Sequence, residues 1–143
     1  MKQKHINAYM KTAETFAECS TATRLQVGAI VVKDDRIISI GYNGMPSGWD
    51  NTCEDIIEVH EDGGRITKSK PEVLHAESNA IAKLARSAES GLDATMFVTH
   101  SPCLDCAKLV YQAGIKQVYF RTQYRDSAGI DFLKKSGVQV INV

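Results

Sequence analysis

Helix and strand patterns alternate regularly over the second half of the chain, and this alternation restricts the possible folds more than any other feature of the sequence. Apolar residues at helical spacing predict helices over His75–Ser87, Leu104–Ala113 and Ser127–Ser136, and short β-rich runs follow them at Thr95–Thr99, Gln117–Phe120 and Val138–Ile141. Strands that alternate with helices favour a parallel arrangement with right-handed crossovers. We therefore expect an α/β fold with three layers, α/β/α.

The first half of the chain predicts a helix, a hairpin and a long loop. Apolar residues between about positions 4 and 18 have helical spacing, and Lys33–Arg36 separates the β-rich runs Val27–Val32 and Ile37–Tyr42. From Asn43 to Pro71 the sequence has no clear period, and we expect a functional loop with room for a short, irregular strand pair. The length of 143 residues suits one domain, residues 1–143.

Composition and charge exclude several classes of protein. Seventeen basic residues balance seventeen acidic ones, so no overall field attracts nucleic acids or anionic membranes. The sequence has no apolar stretch of the roughly 18 residues that a membrane span needs, and its first residues lack the apolar run of a signal peptide. We expect a cytoplasmic protein without nucleic-acid or membrane partners, whose four cysteines serve metal binding or catalysis before disulfides.

Two short motifs carry the residue types of a metal centre. They are His75-Ala76-Glu77 and Pro102-Cys103-Leu-Asp-Cys106, and each begins a predicted helix. Cysteines three residues apart at a helix start lie on one face, and the helix N-terminus favours the thiolate form that binds metals. Two thiolates and one imidazole make three protein ligands with an open fourth position, which is the arrangement of catalytic zinc.

Glu77 follows the predicted ligand His75 by two residues, where a carboxylate can serve a metal-activated water. Zinc lowers the pKa of bound water to about 7 in well-studied sites, and a nearby carboxylate can accept the proton and donate it again. Alone, the Cys-x-x-Cys segment is also compatible with a redox pair or half of a structural zinc site, and His-x-Glu carries little information. Together and in this order they match the H-x-E…P-C-x-x-C motif of zinc deaminases.

On these motifs the chain resembles the cytidine deaminase superfamily, and within it the deoxycytidylate (dCMP) deaminases of phage and bacterial type. The superfamily pattern covers His75–Ile81 and Pro102–Cys106. The narrower similarity rests on Gln26–Val31, on Gly41–Gly48 and on Gln112–Ile115. The resemblance extends over most of residues 15–140.

The resemblance implies a five-stranded mixed sheet with helices on both faces and a Zn²⁺ ion between two helix N-termini, bound by His75, Cys103 and Cys106. It implies hydrolytic deamination of dCMP to dUMP and ammonia, with Glu77 as the proton shuttle. It also implies a homo-oligomer, with a hexamer favoured, that dCTP with Mg²⁺ activates and dTTP inhibits. The residues expected near the effector are Gly41, Asn43, Gly44 and Met45.

Nucleotide contacts are also carried over from the family. Asn43 matches a position expected to contact the sugar or base, and the Ala76 carbonyl and the backbone near Ser101 are expected at the edge of the base. A 5′-phosphate needs Arg, hydroxyl or backbone N–H donors. The candidates for this role are Arg24, Tyr124 and Arg125, and for each arginine a solvated loop is the alternative.

The other cysteines and histidines allow a second zinc ion. Some phage members of the family hold a structural zinc with cysteines at similar places, and here the corresponding residues are Cys19 and Cys53, with His60 as a third ligand. Inert packing of the two cysteines is the alternative. We expect His5 to be solvated and His100 to be part of a pocket wall.

Two rival functions remain open on the sequence. One is a deaminase of another substrate, such as free cytidine, a tRNA adenosine or a base in single-stranded nucleic acid, and the lack of a basic stripe argues against the polymers. The other is a non-catalytic, zinc-stabilised nucleotide sensor. Glu77 favours the enzyme, because a purely structural zinc site has no use for this carboxylate.

Overall fold

The structure is a computed structural model that describes all residues, 1–143, and contains four helices and seven strands. The helices are α1 (Gln3–Ala17), α2 (Ala76–Ala85), α3 (Leu104–Gln112) and α4 (Ala128–Lys135). The strands are β1 (Gly28–Lys33), β2 (Arg36–Tyr42), β3 (Glu54–Val59), β4 (Arg65–Ser69), β5 (Thr95–His100), β6 (Gln117–Thr122) and β7 (Gln139–Asn142). Every predicted helix and strand is present, with ends shifted by at most two residues.

Five strands form a mixed sheet in the order β2-β1-β5-β6-β7. Strand β1 is antiparallel to both β2 and β5, whereas β5, β6 and β7 run parallel. The turn between β1 and β2 is tight, with Asp34 and Asp35 at φ values of 52° and 57°. Short Asp side chains tolerate this left-handed conformation, which two-residue hairpin turns require. The mixed sheet and the parallel later strands confirm the prediction.

The sheet separates two apolar cores, because alternate residues of each strand face opposite sides. On one side Ile30, Phe97 and Tyr119 pack with Met10 of α1, and the rings of Phe97 and Tyr119 stack at 4.8 Å. On the other side the strands pack against α2, α3 and α4 through the residues Val31, Met96, Val118, Ala80, Val110 and Leu133. One helix on one face and three on the other give the predicted α/β/α sandwich.

Residues 43–71 are more ordered than predicted. Strands β3 and β4 form a separate two-stranded antiparallel sheet, with a shift of register between Ile56 and Glu58. The hairpin exposes apolar side chains, and Ile57 and Val59 are 61% and 65% exposed. Because these side chains face solvent, the segment lacks the alternation of apolar and polar residues that marks a half-buried strand. No helix of the protein has the length and apolar character needed to cross a membrane.

Candidate active site

The two motifs meet at the N-termini of α2 and α3. His75 is the residue that precedes α2, Cys103 precedes α3, and Cys106 lies in the first turn of α3. The Nδ1 atom of His75 lies 3.5 Å from Sγ of Cys103 and 3.3 Å from Sγ of Cys106. In the whole chain this is the one group of three metal-ligating side chains whose ligand atoms all lie within 4.8 Å of one another.

The spacing and chemistry of this group fit zinc. Typical Zn–S and Zn–N bonds of about 2.3 and 2.0 Å at a tetrahedral angle separate sulfur and nitrogen by about 3.5 Å. The distances from His75 Nδ1 to the two sulfurs, 3.5 and 3.3 Å, agree with that value. Two thiolates and an imidazole form a donor set that suits zinc, with a fourth position left for a water molecule. The three residues are therefore able to hold a catalytic zinc ion.

The protonation of the two thiols differs. Hydrogen bonds from the Cys106 thiol and from His75 lower the pKa of Cys103 to about 4. The hydrogen bond to Cys103, together with burial, raises the pKa of Cys106. The hydrogen bond with Cys103 also raises the pKa of His75. These hydrogen bonds thus favour the thiolate form, the form that binds metals, at Cys103 over Cys106.

Glu77 lies beside the cluster in the first turn of α2 and is only 4% exposed. Burial raises the pKa of its carboxyl to about 7. A group with a pKa near the working pH is able both to accept and to donate a proton. His75, Cys103 and Glu77 all line one cavity, so this carboxyl faces the same space as the metal ligands.

The cavity has a volume of ≈ 650 Å³, which is suitable for a ligand of nucleotide size. All six predicted nucleotide contacts line it: Arg24, Asn43, Ala76, Ser101, Tyr124 and Arg125. Three cationic side chains, from three separate segments, also line it: Arg24, Lys70 and Arg125. Two acidic side chains, Glu54 and Glu77, line the same cavity, so its cationic side chains outnumber its carboxyl groups by three to two.

Asn43 has a structural task besides lining the cavity. Its side-chain oxygen accepts a hydrogen bond from the Val27 N–H at 2.8 Å, and its amide group donates one to the Leu25 carbonyl at 2.7 Å. An amide side chain has two donor protons and two acceptor positions, so one of each is still available to a ligand. The loop that carries Tyr124 is held in turn by Ser101, whose hydroxyl accepts the Tyr124 N–H at 2.6 Å.

The residues predicted near an effector lie in different environments. Gly41 packs against the backbone of α2, where an added Cβ would meet the Ala76 carbonyl. Gly44 pairs with Leu74 in an isolated β-bridge and has open space beside its Cα, and Met45 is half-buried. Asn43 is the only one of these four residues that lines the cavity. Tight helix packing therefore accounts for the glycine at position 41.

The second zinc site is not formed in this structure. Cys19 is exposed just after α1, whereas Cys53 is buried with its Sγ 3.5 Å from Thr21 Oγ1. His60 lies at the end of the β3–β4 hairpin, with its Nδ1 4.0 Å from the carboxylate of Glu58. These three residues form no group of ligand atoms within 4.8 Å. The structural zinc site at Cys19, Cys53 and His60 therefore stays a prediction, and in this structure Cys53 packs at the base of the β3–β4 hairpin.

Sequence reasoning missed Glu54 and Lys70 at the cavity. Both lie at the base of the β3–β4 hairpin and line the cavity. Their segment has no clear hydrophobic period, and only the turn signal of Pro71 marks its end. His100, expected in a pocket wall, does line the cavity, and its Nδ1 lies 3.0 Å from Thr99 Oγ1.

Comparisons with known proteins agree with the geometry. The family described as "Cytidine and deoxycytidylate deaminase zinc-binding region" matches residues 3–122. Deoxycytidylate deaminase of Enterobacteria phage T4 is 37% identical over 155 residues, which cover 82% of this chain and 79% of that protein. The human deoxycytidylate deaminase is 38% identical over 128 residues, or 83% of this chain and 66% of that protein.

A solved structure shows similarity over the whole chain. The dCMP deaminase of cyanophage S-TIM5, in complex with dCMP and dUMP, superposes with a TM-score of 0.90 at 49% identity and covers 100% of this chain and 99% of that one. The fold, the Cys₂His group and the family match lead to the same conclusion. The chain belongs to the cytidine and deoxycytidylate deaminase family.

Proposed function

We propose that this protein is a zinc-dependent hydrolase that converts dCMP to dUMP and ammonia. The observation that carries the proposal is a Cys₂His group whose His75 and Cys103 line one cavity together with the buried carboxyl of Glu77 and three cationic side chains. The similarity to the cyanophage enzyme, whose structure holds dCMP and dUMP, supports this substrate.

In the proposed mechanism His75, Cys103 and Cys106 hold the zinc ion, which when bound polarises a water molecule as the nucleophile. Glu77 would accept one proton from the water as its oxygen attacks C4 and would donate this proton to N3 of the cytosine ring. It would then accept the second proton from the oxygen on C4 and donate it to the 4-amino group, which leaves as ammonia. The C4–N bond breaks as the new C4–O bond becomes the carbonyl, and one water is consumed for each ammonia released. The burial of Glu77 supports this role, because a pKa of about 7 suits transfer in both directions.

The charges of the cavity favour a nucleotide over a free nucleoside. A 5′-monophosphate carries between one and two negative charges at neutral pH, and cationic side chains with charge-assisted hydrogen bonds recognise it. Arg24, Lys70 and Arg125 supply such groups, and Tyr124 supplies a hydroxyl. We assign Asn43 to the sugar or base, and the Ala76 carbonyl to the 4-amino edge of the base, as the family resemblance implies.

A substrate panel tests the proposed function. Purified zinc-loaded protein is given dCMP, CMP, deoxycytidine and cytidine, and loss of the cytosine absorbance is followed together with ammonia release. The expected result is turnover of dCMP with a kcat/KM at least about 100-fold above that of deoxycytidine, as lost charge-assisted contacts predict. Equal rates with nucleoside and nucleotide would contradict the assigned substrate, and no turnover of any cytosine compound would contradict the chemistry.

The proposal also covers regulation and assembly. We infer a cytoplasmic homo-oligomer, with a hexamer favoured, that dCTP with Mg²⁺ activates and dTTP inhibits near Gly41–Gly48. The family resemblance supports this, as does the length of the segment from Asn43 to Pro71. Opposite effectors require two states with different affinities. Sigmoidal rates against dCMP that become hyperbolic with dCTP are expected. Hyperbolic kinetics unmoved by either triphosphate would contradict regulation without affecting the deaminase assignment.

A further inference from the structure

One wall of the cavity is an irregular segment between α1 and β1, residues 20–27, which we call the 20–27 segment. It carries Arg24, one of the three cationic side chains of the cavity. None of its residues belongs to a helix or strand. A backbone without secondary structure needs other partners for its N–H and C=O groups. The partners of this segment therefore decide where Arg24 is held.

Glu54, the first residue of β3, binds the backbone of this segment directly. Its Oε1 atom accepts hydrogen bonds from the N–H of Thr23 at 2.8 Å and from the N–H of Arg24 at 3.2 Å. Consecutive N–H groups that converge on one anionic oxygen form a concave binding site for anions. Hydrogen bonds to a charged acceptor are also roughly twice as strong as neutral ones. The carboxylate of Glu54 thus holds the backbone at Arg24 itself.

Neighbouring contacts join the same two parts of the chain. Thr21 Oγ1 donates to the Asn51 carbonyl at 2.7 Å and lies 3.5 Å from Cys53 Sγ. Cys53 is 1% exposed, so the Cys53 side of this contact is closed to solvent. Thr21 supports the start of the segment, whereas Glu54 supplies the charged contact and reaches the residue that carries the guanidinium.

We propose that Glu54 is a positioning residue for recognition of the substrate phosphate. It fixes the backbone of Thr23 and Arg24 so that the Arg24 guanidinium stays at the cavity, and it takes no part in the proton transfers. The inference rests on the proposed function, because it needs a substrate with a phosphate. It gives the base of the β3–β4 hairpin a role in substrate specificity.

Kinetics with two substrates separate positioning from general support of the fold. Glu54→Ala removes the acceptor, and we expect KM for dCMP to rise about tenfold, or about 1.4 kcal/mol, with kcat within about twofold. The kcat/KM for deoxycytidine should not change, because that substrate has no phosphate. Glu54→Gln retains an oxygen acceptor and should keep KM within about threefold of the original value. Glu58→Ala, a change at an exposed residue of the same hairpin, is the matched control and should leave the kinetics with both substrates unchanged.

A double variant tests whether Glu54 acts through Arg24. In an Arg24→Ala background, Glu54→Ala should raise KM for dCMP no further, because the group that it positions is gone. Circular dichroism and zinc content establish that each variant is folded. If Glu54→Ala does not fold, Glu54→Asp, one methylene shorter, gives the same comparison with an expected rise in KM of about threefold.

Several results would overturn the inference while leaving the proposed function intact. A lower KM for dCMP in Glu54→Ala would mean that the carboxylate competes with the phosphate for the same N–H groups. Equal losses of kcat/KM with dCMP and with deoxycytidine would mean that Glu54 only supports the fold. Independent effects of the Arg24 and Glu54 substitutions on KM would mean the same. Failure of the unaltered protein to deaminate dCMP would instead contradict the proposed function itself.

Discussion

The contact between Gly41 and α2 makes Gly41→Ala the sharpest test of how the fold positions the site. An added Cβ at position 41 would meet the carbonyl oxygen of Ala76 and would lie 2.6 Å from the backbone nitrogen of Ala80. Both are backbone atoms, which cannot rotate away as a side chain does. The first turn of α2 must therefore move away from β2, and this turn contains Glu77 and directly follows His75.

The expected cost follows from the type of contact. Overpacking in a well-packed interior typically costs about 1–3 kcal/mol, and a clash with helix backbone belongs at the upper end, at about 3 kcal/mol. For a chain of this size 1 kcal/mol corresponds to about 4 °C in Tm, so Gly41→Ala should lower Tm by roughly 10 °C. Movement of His75 should also weaken zinc binding, by about tenfold or more, because metal sites depend on the orientation of their ligands.

Gly44→Ala is the matched control. Gly44 lies three residues further along, and an added Cβ there has no neighbouring atom within 4 Å. Tm of the zinc-loaded proteins is measured by scanning calorimetry, and zinc affinity is measured by competition with a chromophoric chelator. The reasoning fails if Gly41→Ala melts within about 2 °C of the unaltered protein, or if Gly44→Ala is destabilised as much, since the local clash would then not be the cause.

Three further changes test the site. Glu77→Gln should reduce kcat by at least about 10²–10⁴-fold with zinc content unchanged, and a variant that retains a tenth of the activity would exclude the proton-shuttle role. Cys106→Ser should lower bound zinc well below one ion per chain and abolish turnover, as elemental analysis and rates will show. Burial lowers the pKa of His100 from 6.5 because the folded state favours the neutral imidazole. The stability that this group contributes is present above that pH, and it is lost as the pH falls and the unfolded chain takes up a proton there. Unfolding of His100→Gln should therefore depend less on pH below 6.5, and an unchanged dependence would contradict this origin.

The order of the elements was predictable because it is encoded locally. The spacing of apolar residues identifies each helix, and Gly114 and Gly137, both at φ 84°, mark the ends of α3 and α4. The zinc ligands were predictable for the same reason, since His75 and Cys103 each precede the first turn of a helix. Parallel crossovers then bring these helix starts to the same edge of the sheet.

The cavity walls were less predictable because they depend on contacts between distant segments. Nothing around Glu54 in the sequence shows that its carboxylate receives two N–H groups from residues about thirty positions earlier. The second zinc site stays a prediction for a related reason. Cys53 was matched to a family position, but its environment depends on how the hairpin base meets Thr21. The effector role of Gly41 stays a prediction, although the packing against α2 already explains that glycine.

The distance along the chain between the zinc ligands has a consequence for stability. Cys103 lies 28 residues after His75, and Cys106 lies 31 residues after it, on a different helix. A metal ion bound to all three side chains therefore acts as a cross-link. In the chain-entropy treatment of cross-links, a loop of this length restricts the unfolded state by about 3–4 kcal/mol. Removal of the zinc with a chelator should thus remove a cross-link between two helices as well as the reactive centre. The lifetime of the folded protein should therefore rise and fall with the supply of zinc.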